Sequence, residues 1–175
     1  MLSLRTAAPD FDLDGVQAGR VRRVSLRDYR GRWVVLFFYP ADFTFVCPTE
    51  ILGFQTRLSE FQAKEAEIVA VSVDGVASHR AWADELGGIA FPLLSDPGGR
   101  TARAYGVLDE EEGRAFRATI VVSPEGSVAY LVVSPMNVGR SVDETLRVVT
   151  ALQTGRLCPA DWRPGQPTLE PDLRY

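Results

Sequence analysis

The run Trp33, Val34, Val35, Leu36, Phe37, Phe38 and Tyr39 constrains this chain more than any other stretch. It is continuous, aromatic and β-branched, so it reads as a strand buried on both faces, and Pro40 ends it. From Ile51 to about Lys64, the residues Ile51, Phe54, Leu58 and Phe61 fall on one helical stripe. A helix is therefore expected there, with Cys47 and Pro48 in the loop just before it or in its first turn. Ile68 to Val73 is a second apolar strand. A helix follows from near Ser78 through Trp82 to about Leu86, where Gly87 and Gly88 stop it.

Phe91 to Ser95 is a third short strand, and Asp96, Pro97, Gly98 and Gly99 turn the chain into a short helix through Tyr105. Ala118 to Val122 and Val128 to Val133 are joined by Ser123, Pro124, Glu125 and Gly126, which predicts an antiparallel hairpin. A last helix begins at Ser141, with Glu144 placed for a capping box, and buries Val142, Leu146, Val149 and Leu152. Strands alternating with helices and closing on a hairpin and a helix indicate an α/β fold. The expected form is a central mixed β-sheet of the thioredoxin-like kind, flanked by helices.

The stretch from Cys158 to Tyr175 holds Pro159, Pro164, Pro167 and Pro171, which forbid a long helix and leave too little apolar material for a core. The chain of 175 residues thus divides into one domain over 1–157 and a C-terminal tail over 158–175 that must dock. A formal net charge of -4 with scattered arginines argues against nucleic acid as a partner. Nothing approaches the ~20 apolar residues of a membrane span, and Met1 to Pro9 lacks a signal-peptide run, so a cytoplasmic location without membrane contact is expected.

Cys47 and Cys158 are the only cysteines and His79 the only histidine. Three such ligands without close paired spacing do not make a metal site, and no cofactor is expected. Two cysteines in a reducing compartment are not expected to form a static disulfide, although a catalytic one remains open. Cys47 itself would meet unpaired backbone N–H groups and the positive end of a helix dipole, which favour a thiolate, the reactive form. Thr44 is placed to set its hydroxyl beside that sulfur, donating to it or to a substrate oxygen, while Pro40 shields the site from water. A free cysteine is also commonly a small buried hydrophobe, and position alone does not choose between these readings.

The order Pro40, Thr44, Cys47 resembles the active-site motif of the peroxiredoxins. The text from Phe37 through Glu50 is similar almost word for word to the active-site loop of their typical two-cysteine members, including the peroxidase component of bacterial alkyl hydroperoxide reductase. The resemblance continues through Val71 to Asp74, His79, Trp82, Pro92 to Asp96 and Val138 to Leu146, nearly the whole chain. It implies that Cys47 is the peroxidatic thiol and that Arg117, ahead of Ala118, Thr119 and Ile120, contacts the sulfur and the peroxide oxygens. A guanidinium there would also stabilise charge moving onto the leaving oxygen. Glu50 matches an acidic residue that organises the active-site arginines, and Arg140 is a candidate second member of that network. An exposed strand-edge arginine and ordinary helix-end charges are the plainer readings of Arg117, Glu50 and Arg140.

Cys158, within Arg156 to Trp162, resembles the resolving-cysteine segment of the same subclass. The resemblance implies a disulfide between Cys47 and the partner's Cys158 in a two-fold dimer, and often a ring-shaped decamer. Phe43, Phe45 and Trp82 are candidates for that contact or for the core. The implied activity is reduction of hydrogen peroxide and alkyl hydroperoxides, with thioredoxin or a flavoprotein disulfide reductase recycling the disulfide. Two features of peroxide-sensitive members are missing: the loop reads Gly87, Gly88, Ile89, Ala90 rather than Gly-Gly-Leu-Gly, and the sequence ends at Tyr175 without a helix bearing Tyr-Phe. Resistance to overoxidation is the expectation. A disulfide reductase of the same fold would need a second thiol close to Cys47, where Pro48, Thr49 and Glu50 stand instead, and a cysteine hydrolase would need a base beside it. A non-enzymatic holdase chaperone or peroxide-sensing relay is the alternative from another class.

Overall fold

Trp33 to Phe38 does form a strand, and the rest of the molecule is arranged about it. The structure, a computed structural model, describes residues 2–170. Of the proline-rich tail, residues 171–175, Pro171 among them, lie outside the described residues. In chain order the elements are β1 (Asp12–Gln17), β2 (Arg20–Ser25), a 3-10 turn (Leu26–Tyr29), β3 (Trp33–Phe38), α1 (Cys47–Thr56), α2 (Leu58–Gln62), β4 (Ala66–Ser72) and α3 (Val76–Glu85). There follow β5 (Leu93–Ser95), α4 (Arg100–Ala104), the short pair β6 (Leu108–Asp109) and β7 (Arg114–Ala115), β8 (Arg117–Val122), β9 (Val128–Ser134) and α5 (Val142–Thr154).

Seven strands form one sheet in the order β2-β1-β5-β4-β3-β8-β9. β3 runs parallel to β4 and antiparallel to β8, so the sheet is mixed. Alternation along β3 explains its composition. Val35 and Phe37, with Tyr39 just beyond, enter a core with Ile51, Phe54, Phe61 and Trp82 on one face. Val34, Leu36 and Phe38 enter a second core with Tyr105, Val107 and Ile120 on the other. Every position of β3 after Trp33 is buried because both faces are covered, as a parallel neighbour requires. This is the thioredoxin-like arrangement.

Three expectations need correction. The single helix over Ile51 to Lys64 is two: Arg57 leaves helical geometry at φ -97° and ψ 6°, its N–H reaching both Gly53 and Gln55 carbonyls, and α2 restarts beyond it. The apolar stripe survives the break, with Ile51, Phe54 and Phe61 all fully buried. The strand over Phe91 to Ser95 begins only at Leu93. The capping box at Ser141 is half present: its side chain accepts from Glu144 N–H at 3.1 Å, but the Glu144 carboxylate turns to Arg147 at 2.6 and 2.7 Å.

The hairpin of β1 and β2 has no counterpart in the sequence reading. Its two-residue turn places Ala18 at φ 49° and Gly19 at φ 72°, a conformation usually announced by Asn-Gly, and alanine hides it. Past α5, Gly155 ends the helix in the left-handed conformation, and Leu157 bridges to Leu169. Between them Trp162 is only 4% exposed, and Arg147 Nη1 donates to its carbonyl at 3.1 Å. No helix among the described residues is long and apolar enough to cross a membrane.

Candidate active site

β3 delivers the chain to buried Pro40, and a loop through Val46 leads directly into α1, of which Cys47 is the first residue. Val46 offers no side-chain cap, and Pro48 in the first turn has no N–H to satisfy. The sulfur thus lies at the positive end of a helix that has no side-chain cap, with Glu50 the one acidic residue of its first turn.

Cys47 is 0% exposed. Arg117, the first residue of β8, is also buried, and its Nη1 donates to Cys47 Sγ at 3.3 Å and to Glu50 Oε2 at 2.7 Å. The β3–β8 pairing causes this meeting: Phe38 sits opposite Ala118, so Arg117 extends just past the strand end from which the loop departs. Its Nε donates to the Met136 carbonyl at 2.7 Å, fixing the plane of the guanidinium.

Arg140 completes the group. Its backbone N–H and Nε both donate to Glu50 Oε1 at 3.0 Å, Nη1 donates to Ala118 O at 2.8 Å and Nη2 to Phe38 O at 2.5 Å. The guanidinium also lies 4.9 Å over the Phe37 ring. Burial pulls Arg140 below the usual arginine range, and Glu50 opposes that shift. Among Arg117, Arg140 and Glu50, two buried cations face one carboxylate, leaving one positive charge in excess beside the Cys47 sulfur. Neither arginine is the exposed residue that composition alone would suggest.

Thr44 behaves differently from the expectation. Its hydroxyl donates to the Ala41 carbonyl at 3.1 Å, within its own loop, rather than to the sulfur. With that proton committed, it can only accept from a further group. His79 Nδ1 lies 2.8 Å from Asp42 Oδ2, and Tyr39 donates to Asp42 Oδ1 at 2.8 Å. This buried network ties α3 to the loop and supplies no base to Cys47. Of the three aromatic candidates, Trp82 is core at 1% exposed, whereas Phe43 is half exposed and Phe45 is 99% exposed. Phe43 also holds a left-handed φ of 53°.

Cys158 is free, partly buried and not beside Cys47. Its Sγ lies 3.5 Å from Thr154 Oγ1 and 3.9 Å from the Ala151 carbonyl, at the C-terminal turn of α5. The opposite end of α5 is the one that meets the site, since a Cβ at Gly139 would touch Val46 and lie near Glu50, and Val142 packs on Gly53. Thirteen helical residues separate these ends, about 20 Å at the helix rise.

Sequence reasoning missed the Phe38, Ala118 and Met136 carbonyls that clamp the two arginines, because a backbone acceptor leaves no signature in residue type. The Asp42–His79–Tyr39 network was equally unread. No group of three or more His, Cys, Asp or Glu side chains suited to a metal ion occurs among the described residues.

Comparison with known proteins identifies the family. The model of the AhpC/TSA family matches residues 4–131, and that of the C-terminal domain of 1-Cys peroxiredoxin matches residues 150–173. A peroxiredoxin of Caenorhabditis elegans is 45% identical over 95% of this chain and 88% of its own length. Among solved structures, AhpC of Enterococcus faecalis superposes with a TM-score of 0.86 at 40% identity, covering 91% of this chain and all of that one. The reduced 2-Cys peroxiredoxin of Plasmodium vivax gives 0.91 at 35% identity, covering 96% and 93%. The chain belongs to the AhpC/TSA family as a peroxiredoxin of the AhpC type, an oxidoreductase with thiol peroxidase activity.

Proposed function

We propose that Cys47 is the peroxidatic thiol and that the resolving thiol is Cys158 of a second copy of the chain. The observation that carries this is the single Arg117 nitrogen shared by the Cys47 sulfur and Glu50. A guanidinium locked in place by Glu50 and Met136 favours negative charge on the sulfur and keeps its remaining N–H groups for an oxygen substrate. The Cys47 thiolate attacks the terminal oxygen of hydrogen peroxide or an alkyl hydroperoxide. The S–O bond forms as the O–O bond breaks, and the departing oxygen leaves as water or alcohol after taking a proton. Arg117 stabilises that oxygen, and Thr44, with lone pairs only to offer, accepts the hydrogen bond of the peroxide O–H. Pro40 closes the site against water. Glu50 and Arg140 are positioning residues, which hold Arg117 and the mouth of α1.

The sulfenic acid on Cys47 then condenses with Cys158, forming the S–S bond and releasing water. A disulfide needs Cα atoms within about 7 Å, and α5 alone sets its two ends about 20 Å apart, which favours a Cys158 supplied by the partner. Two symmetric bridges then form in an isologous dimer. The exposed Phe43 and Phe45 support further assembly of dimers into a ring of five. Residues 1–157 act as the catalytic domain and 158–175 as the tail that delivers Cys158. A cytoplasmic dithiol donor, thioredoxin or a flavoprotein disulfide reductase, returns both sulfurs to thiols. With Gly87, Gly88, Ile89 and Ala90 in the loop, we propose resistance to overoxidation, so steady turnover should persist through low micromolar peroxide; inactivation there removes this part of the reading.

Adding peroxide to reduced protein should give a covalent dimer on a non-reducing gel. Cys47→Ser and Cys158→Ser should each abolish it, and only Cys47→Ser should abolish peroxide consumption in a single turnover. Consumption that survives Cys47→Ser sinks the proposal.

A further inference from the structure

The surroundings of Cys158 carry chemistry of their own. Thr154 Oγ1 donates to Ala151 O at 2.7 Å and accepts from Arg156 N–H at 3.1 Å. Its one proton is therefore spent, and what it presents to Cys158 at 3.5 Å is a lone pair. The second neighbour of the sulfur, the Ala151 carbonyl, is also an acceptor. Both stand in the last turn of α5, where unpaired carbonyls concentrate partial negative charge. Cys158 thus faces acceptors where Cys47 faces donors, and it is its S–H hydrogen that these oxygens take. The tail is fastened in this pose twice, by Leu169 N–H to Leu157 O at 2.8 Å and by Arg147 Nη1 on the carbonyl of buried Trp162.

We infer that the C-terminal turn of α5 is a holding site for Cys158, in which Thr154 and Ala151 engage the thiol hydrogen and Arg147 latches the tail through Trp162. This rests on the reading of Cys158 as the resolving thiol. Only a thiolate attacks sulfur, so the docked thiol is a poor nucleophile and is spared from adventitious oxidation. When the latch opens, Cys158 loses its proton, attacks the sulfenic sulfur of Cys47, and the displaced hydroxide leaves with that proton as water. Thr154 and Arg147 are positioning residues for resolution and touch no substrate.

The test uses Cys47→Ser protein, in which Cys158 is the sole thiol, and follows iodoacetamide alkylation near neutral pH by intact mass. Thr154→Val should speed alkylation about 2- to 10-fold, the effect of losing one ordinary hydrogen bond, whereas Thr154→Ser should match the parent. Arg147→Gln should also accelerate it without touching Thr154. Equal rates in all four proteins, or slower alkylation in Thr154→Val, overturn the holding site. Wild-type protein treated with peroxide separates the two claims. A covalent dimer there together with flat alkylation rates removes only the holding site. Responsive rates without a dimer leave the holding site standing and remove the resolving role.

Discussion

The two cysteines occupy opposite kinds of helix end. Cys47 opens α1, fully buried, with an arginine N–H on its sulfur and a carboxylate fixing that arginine from behind. Cys158 follows the close of α5, partly exposed, with oxygens on its sulfur and its tail held by a bridge and one tryptophan. The first is anchored to the sheet through Arg117, since the pairing of β3 with β8 brings Phe38, Ala118 and Arg117 to one end of these two central strands. The second follows a helix terminus, and its sulfur contacts only Thr154 and Ala151 of that helix rather than the sheet. On the proposed reading, one residue type thereby serves as an activated nucleophile in a fixed site and as a restrained one on a segment that must be released.

The largest effect that can break this contrast is loss of the fixed sulfur. Cys47→Ser should abolish peroxide consumption, followed as hydrogen peroxide decay in stopped flow, whereas Cys158→Ser should keep the first turnover. Next is the donor. Arg117→Gln should lower kcat/KM for peroxide by about 10²- to 10³-fold, the range for removing one preorganised donor to a developing oxyanion, while leaving Cys158 alkylation unchanged. Glu50→Gln removes the buried carboxylate between two arginines and should cost about 3–5 kcal/mol in urea unfolding; no change would mean that the cluster is not electrostatically tight. Thr44→Val should slow the peroxide step about tenfold through loss of one hydrogen bond to substrate, with Thr44→Ser restoring it. The smallest effect lies at the start of α5: Ser141→Ala should cost about 1 kcal/mol of stability and leave both thiols as they are.

Much of the scaffold was legible because its signals are local. The all-apolar run of β3, the Ser-Pro-Glu-Gly turn before β9 and the serine that caps α5 each declare themselves in residue type. The break at Arg57 did not, because Ile51, Phe54 and Phe61 keep their spacing on both sides of it. The turn at Ala18 stayed hidden behind a residue that seldom adopts a positive φ. Within the site, Cys47, Arg117, Glu50 and Arg140 were named from resemblance, and the geometry brings these four together. What sequence could not supply was the direction of hydrogen bonds: that Thr44 donates to Ala41, that Met136 fixes Arg117, and that Cys158 faces acceptors. Those depend on where backbone carbonyls end up, which is a property of the packed chain.

A sulfur held at the mouth of α1 in one copy should be resolved by the tail of another. Co-expressing Cys47→Ser and Cys158→Ser chains, distinguished by mass, and adding peroxide to the reduced mixture tests it directly. The account predicts a covalent heterodimer linking Cys47 of the one chain to Cys158 of the other, with no linked homodimer of either. An unlinked mixture, alongside wild-type monomers that carry an internal Cys47–Cys158 disulfide, would contradict it.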